Sequence, residues 1–269
     1  CSINQLTTLD LSQNSLLQTI NCSSNQLINI NVNQNSNLET LLCGVNQLSV
    51  LDVSQNLQLK NLQCNNNQLT SLNVSQNSLL FLLICRNNQL TQLDVSNNPG
   101  LLSLICHTNQ LSTLDVSSNT LLIELFCSNN QLTSLNVQNG NNTNFSLYNS
   151  QTNPNLTCIL VDNATYSTAN WTNVDPASTF VNNQTECNLL STNDYELNEA
   201  FVIYPNPAKS NISIHTTELI DKVEVFDLFG KKVLESKSKE LSIQNLEVGV
   251  YLMKIDSQNK TIIKKIIKQ

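Results

Sequence analysis

The 269-residue chain is predicted to be mainly β: a solenoid of about seven 21-residue coils, then a cap, then a small β-sandwich. Three observations carry that expectation. Cys1, Cys22, Cys43, Cys64, Cys85, Cys106 and Cys127 stand 21 residues apart without exception. Asn, Gln and Leu columns keep the same step, as at Asn25-Gln26-Leu27 and Asn46-Gln47-Leu48. The charge balance then reverses near residue 200, which marks a domain boundary. Residues 1–200 hold Lys60 and Arg86 against twelve acids, while residues 201–269 hold eleven Lys against eight acids.

Only 12% of the residues are charged and the pI is about 4.7. Low charge by itself points to disorder or low complexity. Strictly periodic Leu points instead to a repeat fold. The N-terminal part offers no basic groove, so nucleic acid is not an expected partner. No apolar run approaches the roughly 20 residues that a membrane helix needs, so no transmembrane segment is expected. The chain begins at Cys1, inside a repeat and with no visible signal peptide. A missing leader and earlier repeats are therefore expected.

The unit from Leu38 reads L-x-x-L-x-C-x-x-N-Q-L-x-x-L-D-V-S-x-N. It splits into two half-units, each with an L-x-x-L-x-apolar-x-x-N core. Leu41-Leu42-Cys43 and Leu51-Asp52-Val53 read as strands with their first and third residues inward. The Asn after each strand marks a turn, where its side chain can satisfy buried backbone groups. One coil cannot bury its own Leu residues. Stacking coils about 4.8 Å apart builds one core.

These columns resemble the leucine-rich-repeat family over residues 1–147. The Cys column resembles the cysteine-ladder variant of internalin-like surface proteins. The resemblance implies a fold and no particular ligand. The Cys column itself is expected to be a buried reduced ladder. Metal-type CxxC spacing is absent, and parallel in-register neighbours fit disulfide geometry poorly.

Strand alternation nominates two outward columns. One is Asp10, Asn31, Asp52, Asn73, Asp94, Asp115 and Asn136, expected to be a solvated face. The other, on the Cys side, places Leu42, Ile84, Ile105 and Phe126 outward at the position before Cys, with Leu82 outward two positions earlier on the same face. Contiguous exposed apolar area of that kind marks an interaction site, so these five residues are the candidate partner-binding set.

The 21-residue register fails after Val137. A solenoid end exposes apolar core and needs a cap. Residues 148–187 are assigned to it. They resemble the cysteine-bracketed caps of secreted bacterial repeat proteins, and that resemblance, with the isolated pair, implies a Cys158–Cys187 disulfide. Residues 188–200 read as a linker.

Residues 201–269 carry short β candidates at Ile212–Ile214, Val223–Phe226, Lys232–Leu234, Leu241–Ile243, Tyr251–Ile255 and Ile262-Ile263, with a turn at Phe229-Gly230-Lys231. Six short strands suggest a small β-sandwich. The segment closely resembles the type A C-terminal sorting domain of type IX secretion. The matching positions are Tyr204-Pro205-Asn206-Pro207, Val225–Lys231, Gly249-Val250-Tyr251 and the Lys-rich end with Lys264, Lys265 and Lys268. The resemblance implies a Gram-negative bacterium, recognition by the type IX machinery and delivery to the outer-membrane surface or medium.

No catalytic constellation stands out. His107 and His215 lie in different domains, and G-x-S-x-G, H-E-x-x-H and Gly-rich phosphate loops are absent. No enzyme activity, cofactor or metal is expected. The leading reading is a surface module that binds a protein or glycan ligand. The alternatives are a structural spacer and the non-catalytic part of a larger enzyme.

Overall fold

The computed structural model describes residues 1–191, 201–227, 230–257 and 260–269. The chain divides into two compact units, Cys1–Ser191 and Thr192–Gln269. Each has its own apolar core.

Strands are numbered in chain order. Seven three-residue strands build one parallel sheet in the first unit: β1 (Thr19–Asn21), β2 (Thr40–Leu42), β3 (Asn61–Gln63), β4 (Leu82–Ile84), β5 (Ser103–Ile105), β7 (Glu124–Phe126) and β9 (Leu147–Asn149). Each buries its middle residue, from Ile20 and Leu41 through Leu125 to Tyr148. The Cys that follows the strand is buried too, and Cys22 through Cys127 are fully enclosed. These six thiols are free, while Cys1 is free and exposed. The sequence placed the strand one residue later, at Leu41–Cys43. The inward and outward assignment is unaffected, because the shift changes only where ladder bonding stops.

Two devices turn the chain after each strand. Residues Ile3, Ser24, Val45, Asn66, Asn87, Thr108 and Asn129 adopt a left-handed backbone with φ between 53° and 57°. The Asn that follows then ties neighbouring coils together. Asn67 Nδ2 donates to the carbonyls of Cys43 and Cys64, both at 3.1 Å, and its Oδ1 accepts from the Leu48 N–H at 3.0 Å. Asn88, Asn109 and Asn130 repeat the arrangement. On the other bend, Asn56 Nδ2 donates to the Val32 carbonyl at 3.0 Å and the Asn35 carbonyl at 2.9 Å. Buried polar backbone is thereby paired where the chain bends and ladder bonds are absent.

The opposite side departs from the expectation of two strands in every coil. A second parallel sheet exists only at the C-terminal end, from β6 (Thr113–Asp115), β8 (Ser134–Asn136), β10 (Cys158–Leu160) and β11 (Thr179–Val181), in the order β11-β10-β8-β6. In earlier coils the corresponding Leu51 and Val53 are buried without a strand. The Asp or Asn between them accepts the N–H two residues on, as Asp52 does from Ser54 at 2.9 Å. Asp115 on β6 and Asn136 on β8 make the same local bond inside the sheet, so it accompanies the turn and does not by itself prevent ladder pairing. The ladder closes where the apolar strands β10 and β11 stack on it.

The cap continues the coils. β9 pairs with β7, and β10 pairs with β8. Trp171 follows helix α1 (Ala164–Asn170) and stacks on Tyr148 at 4.2 Å, with Phe145 and Phe180 against it at 5.2 and 5.6 Å. Cys158 on β10 is bonded to Cys187 on helix α2 (Gln184–Ser191), their Cα atoms 5.5 Å apart. Residues 188–191, read as linker, belong to α2. Residues 192–200 lie outside the described residues.

The second unit holds two antiparallel sheets. One is β12 (Val202–Tyr204), β13 (Asn211–His215) and β16 (Glu240–Ser242). The other runs β15 (Lys232–Ser236), β14 (Lys222–Phe226), β17 (Gly249–Ser257), β18 (Lys260–Lys268). The six expected strands are present. β12 was missed, because a three-residue strand ending at a proline offers no alternation to read. In the expected turn Phe229-Gly230-Lys231, Phe229 lies outside the described residues. Gly230 has φ 79°, a conformation that glycine adopts without cost.

Candidate binding groove and sorting end

The sequence-nominated apolar residues separate into those that meet and those that do not. Ile84, Ile105 and Phe126 are direct cross-strand partners on β4, β5 and β7. Gln63 precedes them in the column and Asn149 follows. Leu42 lies beyond Gln63, and Leu82 occupies the parallel column between Asn61 and Ser103. All five are half-buried rather than freely exposed.

Ile84, Ile105 and Phe126 line a groove of about 420 Å3 with Gln63, Asn65, Arg86 and His107. The last three were not nominated. Their signal was present: they stand two residues beyond Gln63, Ile84 and Ile105, so strand alternation carries them to the same face. Phe81, Leu102 and Ile123 form a further apolar column that was also missed, joined by the bonds Leu102 N–H to Phe81 O and Ile123 N–H to Leu102 O at 2.8 and 2.9 Å.

The groove's charge is set by one residue. Lys60 and Arg86 are the only cations of the first unit. Lys60 is paired with Glu39 at 2.9 Å. The Arg86 side chain has no hydrogen bond or ion pair among the described residues, and it is half-buried. Burial holds the His107 imidazole below its ordinary pKa, and Arg86 adds to that. His107 Nδ1 lies 3.0 Å from Thr108 Oγ1.

The acidic column has a structural task. Asp10, Asn31, Asp52, Asn73, Asp94, Asp115 and Asn136 each accept the backbone N–H two residues later, at 2.8–3.0 Å. Hydrogen bonds from the serine two residues on lower the pKa of the Asp10, Asp52 and Asp94 carboxyls, the backbone N–H leading for Asp10 and Asp52 and the Ser96 side chain leading for Asp94. Among the described residues, no three His, Cys, Asp or Glu side chains group as metal ligands.

In the second unit the motif pieces converge. Asn206 Nδ2 donates to the Lys265 carbonyl at 2.8 Å, and its Oδ1 accepts from the Ile267 N–H at 2.9 Å. Gly249 pairs with Lys268 and Tyr251 with Ile266. The Tyr251 hydroxyl donates to the Glu247 carbonyl at 2.9 Å. Tyr204, Pro205, Asn206 and Pro207 are exposed, and both prolines follow cis peptide bonds. Of the nominated lysines, Lys265 is exposed, Lys264 half-buried and Lys268 buried. On the neighbouring strand, hydrogen bonds from Lys222 and then Lys232 hold the Glu224 carboxyl down at about 2.

Comparison with known proteins bears on each unit separately. Residues 202–269 match the family model described as "Secretion system C-terminal sorting domain". No curated protein matches the chain. Among solved structures, a leucine-rich-repeat protein of Leptospira interrogans is 23% identical over 70% of this chain and 51% of its own, with a TM-score of 0.52. The functional domain of InlJ from Listeria monocytogenes, which includes a cysteine ladder, is 33% identical over 61% of this chain and 44% of its own, with a TM-score of 0.42. The internalin InlF of that species is 25% identical over 52% of this chain and 42% of its own, with a TM-score of 0.45. The chain thus spans about half the length of the structures it resembles.

The fold is that of a leucine-rich-repeat solenoid, here with a cysteine ladder. Residues 202–269 belong to the secretion-system sorting-domain family. Together they support a secreted leucine-rich-repeat protein, with a sorting tail that implies export. No helix among the described residues is long and apolar enough to cross a membrane.

Proposed function

We propose that the solenoid is a surface-acting recognition module that binds a protein partner in the groove over β3, β4, β5 and β7. The observation that carries this reading is the in-register column Ile84–Ile105–Phe126. The same column carries Gln63 and Asn149 in flanking strands, so the core does not require apolar side chains there. Leaving them on a face that water reaches costs solubility, and a partner that covers them offsets that cost. Phe126 is the natural anchor, because aromatic side chains bury large area with few rotamers to freeze. Delivery by the sorting tail would place this face outside the cell.

The test transplants residues that the column already tolerates. Ile84→Gln with Phe126→Asn should change stability by no more than about 1 kcal/mol, since half-buried polar residues occupy the same column. It should weaken adherence of the full chain to immobilised host-matrix proteins at least tenfold. Thermal unfolding beside that binding assay decides. Unchanged binding at unchanged stability would move the partner site off this groove.

A further inference from the structure

The groove is more specific than an apolar patch, because its one charge is unusual for the unit that carries it. Residues 1–191 hold nine acids and two cations. One cation, Lys60, is consumed by Glu39. The other, Arg86, stands in the groove beside Ile84 and Ile105, half-buried and without a partner among the described residues. A guanidinium offers five N–H donors in a planar fork that suits a carboxylate in bidentate fashion. Partial burial strips some of its water and strengthens any pair it forms.

We infer that the groove recognises a protein segment presenting one carboxylate immediately beside an apolar side chain, with Arg86 taking the carboxylate and Ile84, Ile105 and Phe126 taking the apolar group. This rests on the reading of the groove as the partner site and names the chemistry of that partner. Two considerations narrow the occupant. The first is charge. The remainder of the unit is acidic, so a strongly acidic segment is repelled by every carboxylate it approaches within a Debye length, about 8 Å at physiological salt. A single carboxylate in contact with Arg86 gains the local pairing and escapes most of that repulsion. The second is the apolar lining. Two aliphatic side chains and a phenyl ring match a Leu-, Ile- or Phe-like group. A sugar would have to desolvate hydroxyls against them without partners. Gln63 and Asn65, at one end of the groove, supply the polar rim that protein interfaces carry around an apolar centre.

The experiment is selection of a random dodecapeptide phage library on the full chain, run in parallel on Arg86→Gln and on Ile84→Gln with Phe126→Asn. A sulfated and uronic-acid oligosaccharide array is probed with the same three proteins. The native chain should enrich peptides with a single Asp or Glu adjacent to Leu, Ile or Phe. Synthetic peptides from that pool should lose about tenfold in affinity on Arg86→Gln, and lose the same when their own carboxylate is replaced by an amide. The two losses should not add. Raising salt from 50 to 500 mM should weaken the native interaction and leave that of Arg86→Gln nearly unchanged. Enrichment of apolar peptides with no acidic preference, or an acidic preference that survives Arg86→Gln, overturns the partner chemistry while leaving the groove as the site. So does binding confined to the anionic glycans. Enrichment that is indifferent to Ile84→Gln with Phe126→Asn overturns the groove itself.

Discussion

Burial moves the ladder thiols far from their ordinary behaviour. It raises Cys22 to about 11 and Cys64 and Cys127 to about 12, and pushes Cys43, Cys85 and Cys106 higher than their usual value as well. In the unfolded chain these thiols ionise near pH ~8.5. The protonated folded form therefore contributes its full stability below that pH and loses it as pH rises toward the folded values. Each thiol adds about 1.4 kcal/mol of loss per pH unit in that window. The melting temperature of the solenoid should fall steeply between pH 9 and 11, and replacing Cys43, Cys64 and Cys85 by Ala should flatten that fall. At pH 8, native alkylation should leave Cys22 through Cys127 unmodified. Cys85→Ser should destabilise by about 1–3 kcal/mol, because a hydroxyl there has no ready partner. Rapid labelling of the native ladder would show that the coils open easily. The Asn columns were readable at this scale because each recurs with its period. That they satisfy buried backbone groups was the expectation; the structure adds that they reach carbonyls of the coil before, at 2.8–3.1 Å.

The cap is where the local pattern was least informative. Its register slips to 23 residues between Glu124 and Leu147, partners on β7 and β9, so the 21-residue template ends while the stack continues. What closes the stack is an aromatic group: Tyr148 takes the place that Ile20 holds in β1 and Leu in β2, β3, β4, β5 and β7, and Trp171 stacks upon it. The disulfide then secures α2 against β10. Closing a loop of 29 residues stabilises by about 3–4 kcal/mol in the chain-entropy account. Cys158→Ala with Cys187→Ala should therefore loosen the cap before the coils. Trp171 fluorescence, which reports the cap alone, should shift at a lower temperature than the circular-dichroism transition of the solenoid. Coincident transitions would mean that cap and coils melt as one unit.

For the whole molecule the expectation is separability. The two cores share no residue, and the sorting motifs lie entirely in the second unit. Deleting residues 201–269 should leave the unfolding of the solenoid unchanged while export stops and the protein accumulates in the periplasm. Asn206→Ala should have a milder effect of the same sign. It removes two of the bonds that tie the Tyr204–Pro207 segment to β18, leaves those of Ala208 in place, and unmakes neither sheet. Normal surface display of the truncated chain would show that export is encoded elsewhere.

The sequence by itself determined the repeat length, the inward Leu and Cys columns, the outward direction of Ile84, Ile105 and Phe126, and the presence of a sorting segment. Each of these is written in a period or a local motif, and alternation along a strand follows from backbone geometry alone. Only the tertiary structure decided how far those side chains are covered, that Arg86 and His107 share their groove, that Leu42 and Leu82 stand apart from it, and that the second sheet forms only beneath the cap. It also decided that Asn206 meets Lys265, 59 residues away. The physical reason is common to all of these. A period states which way a side chain points. What it meets depends on the register of strands and loops brought together from distant parts of the chain.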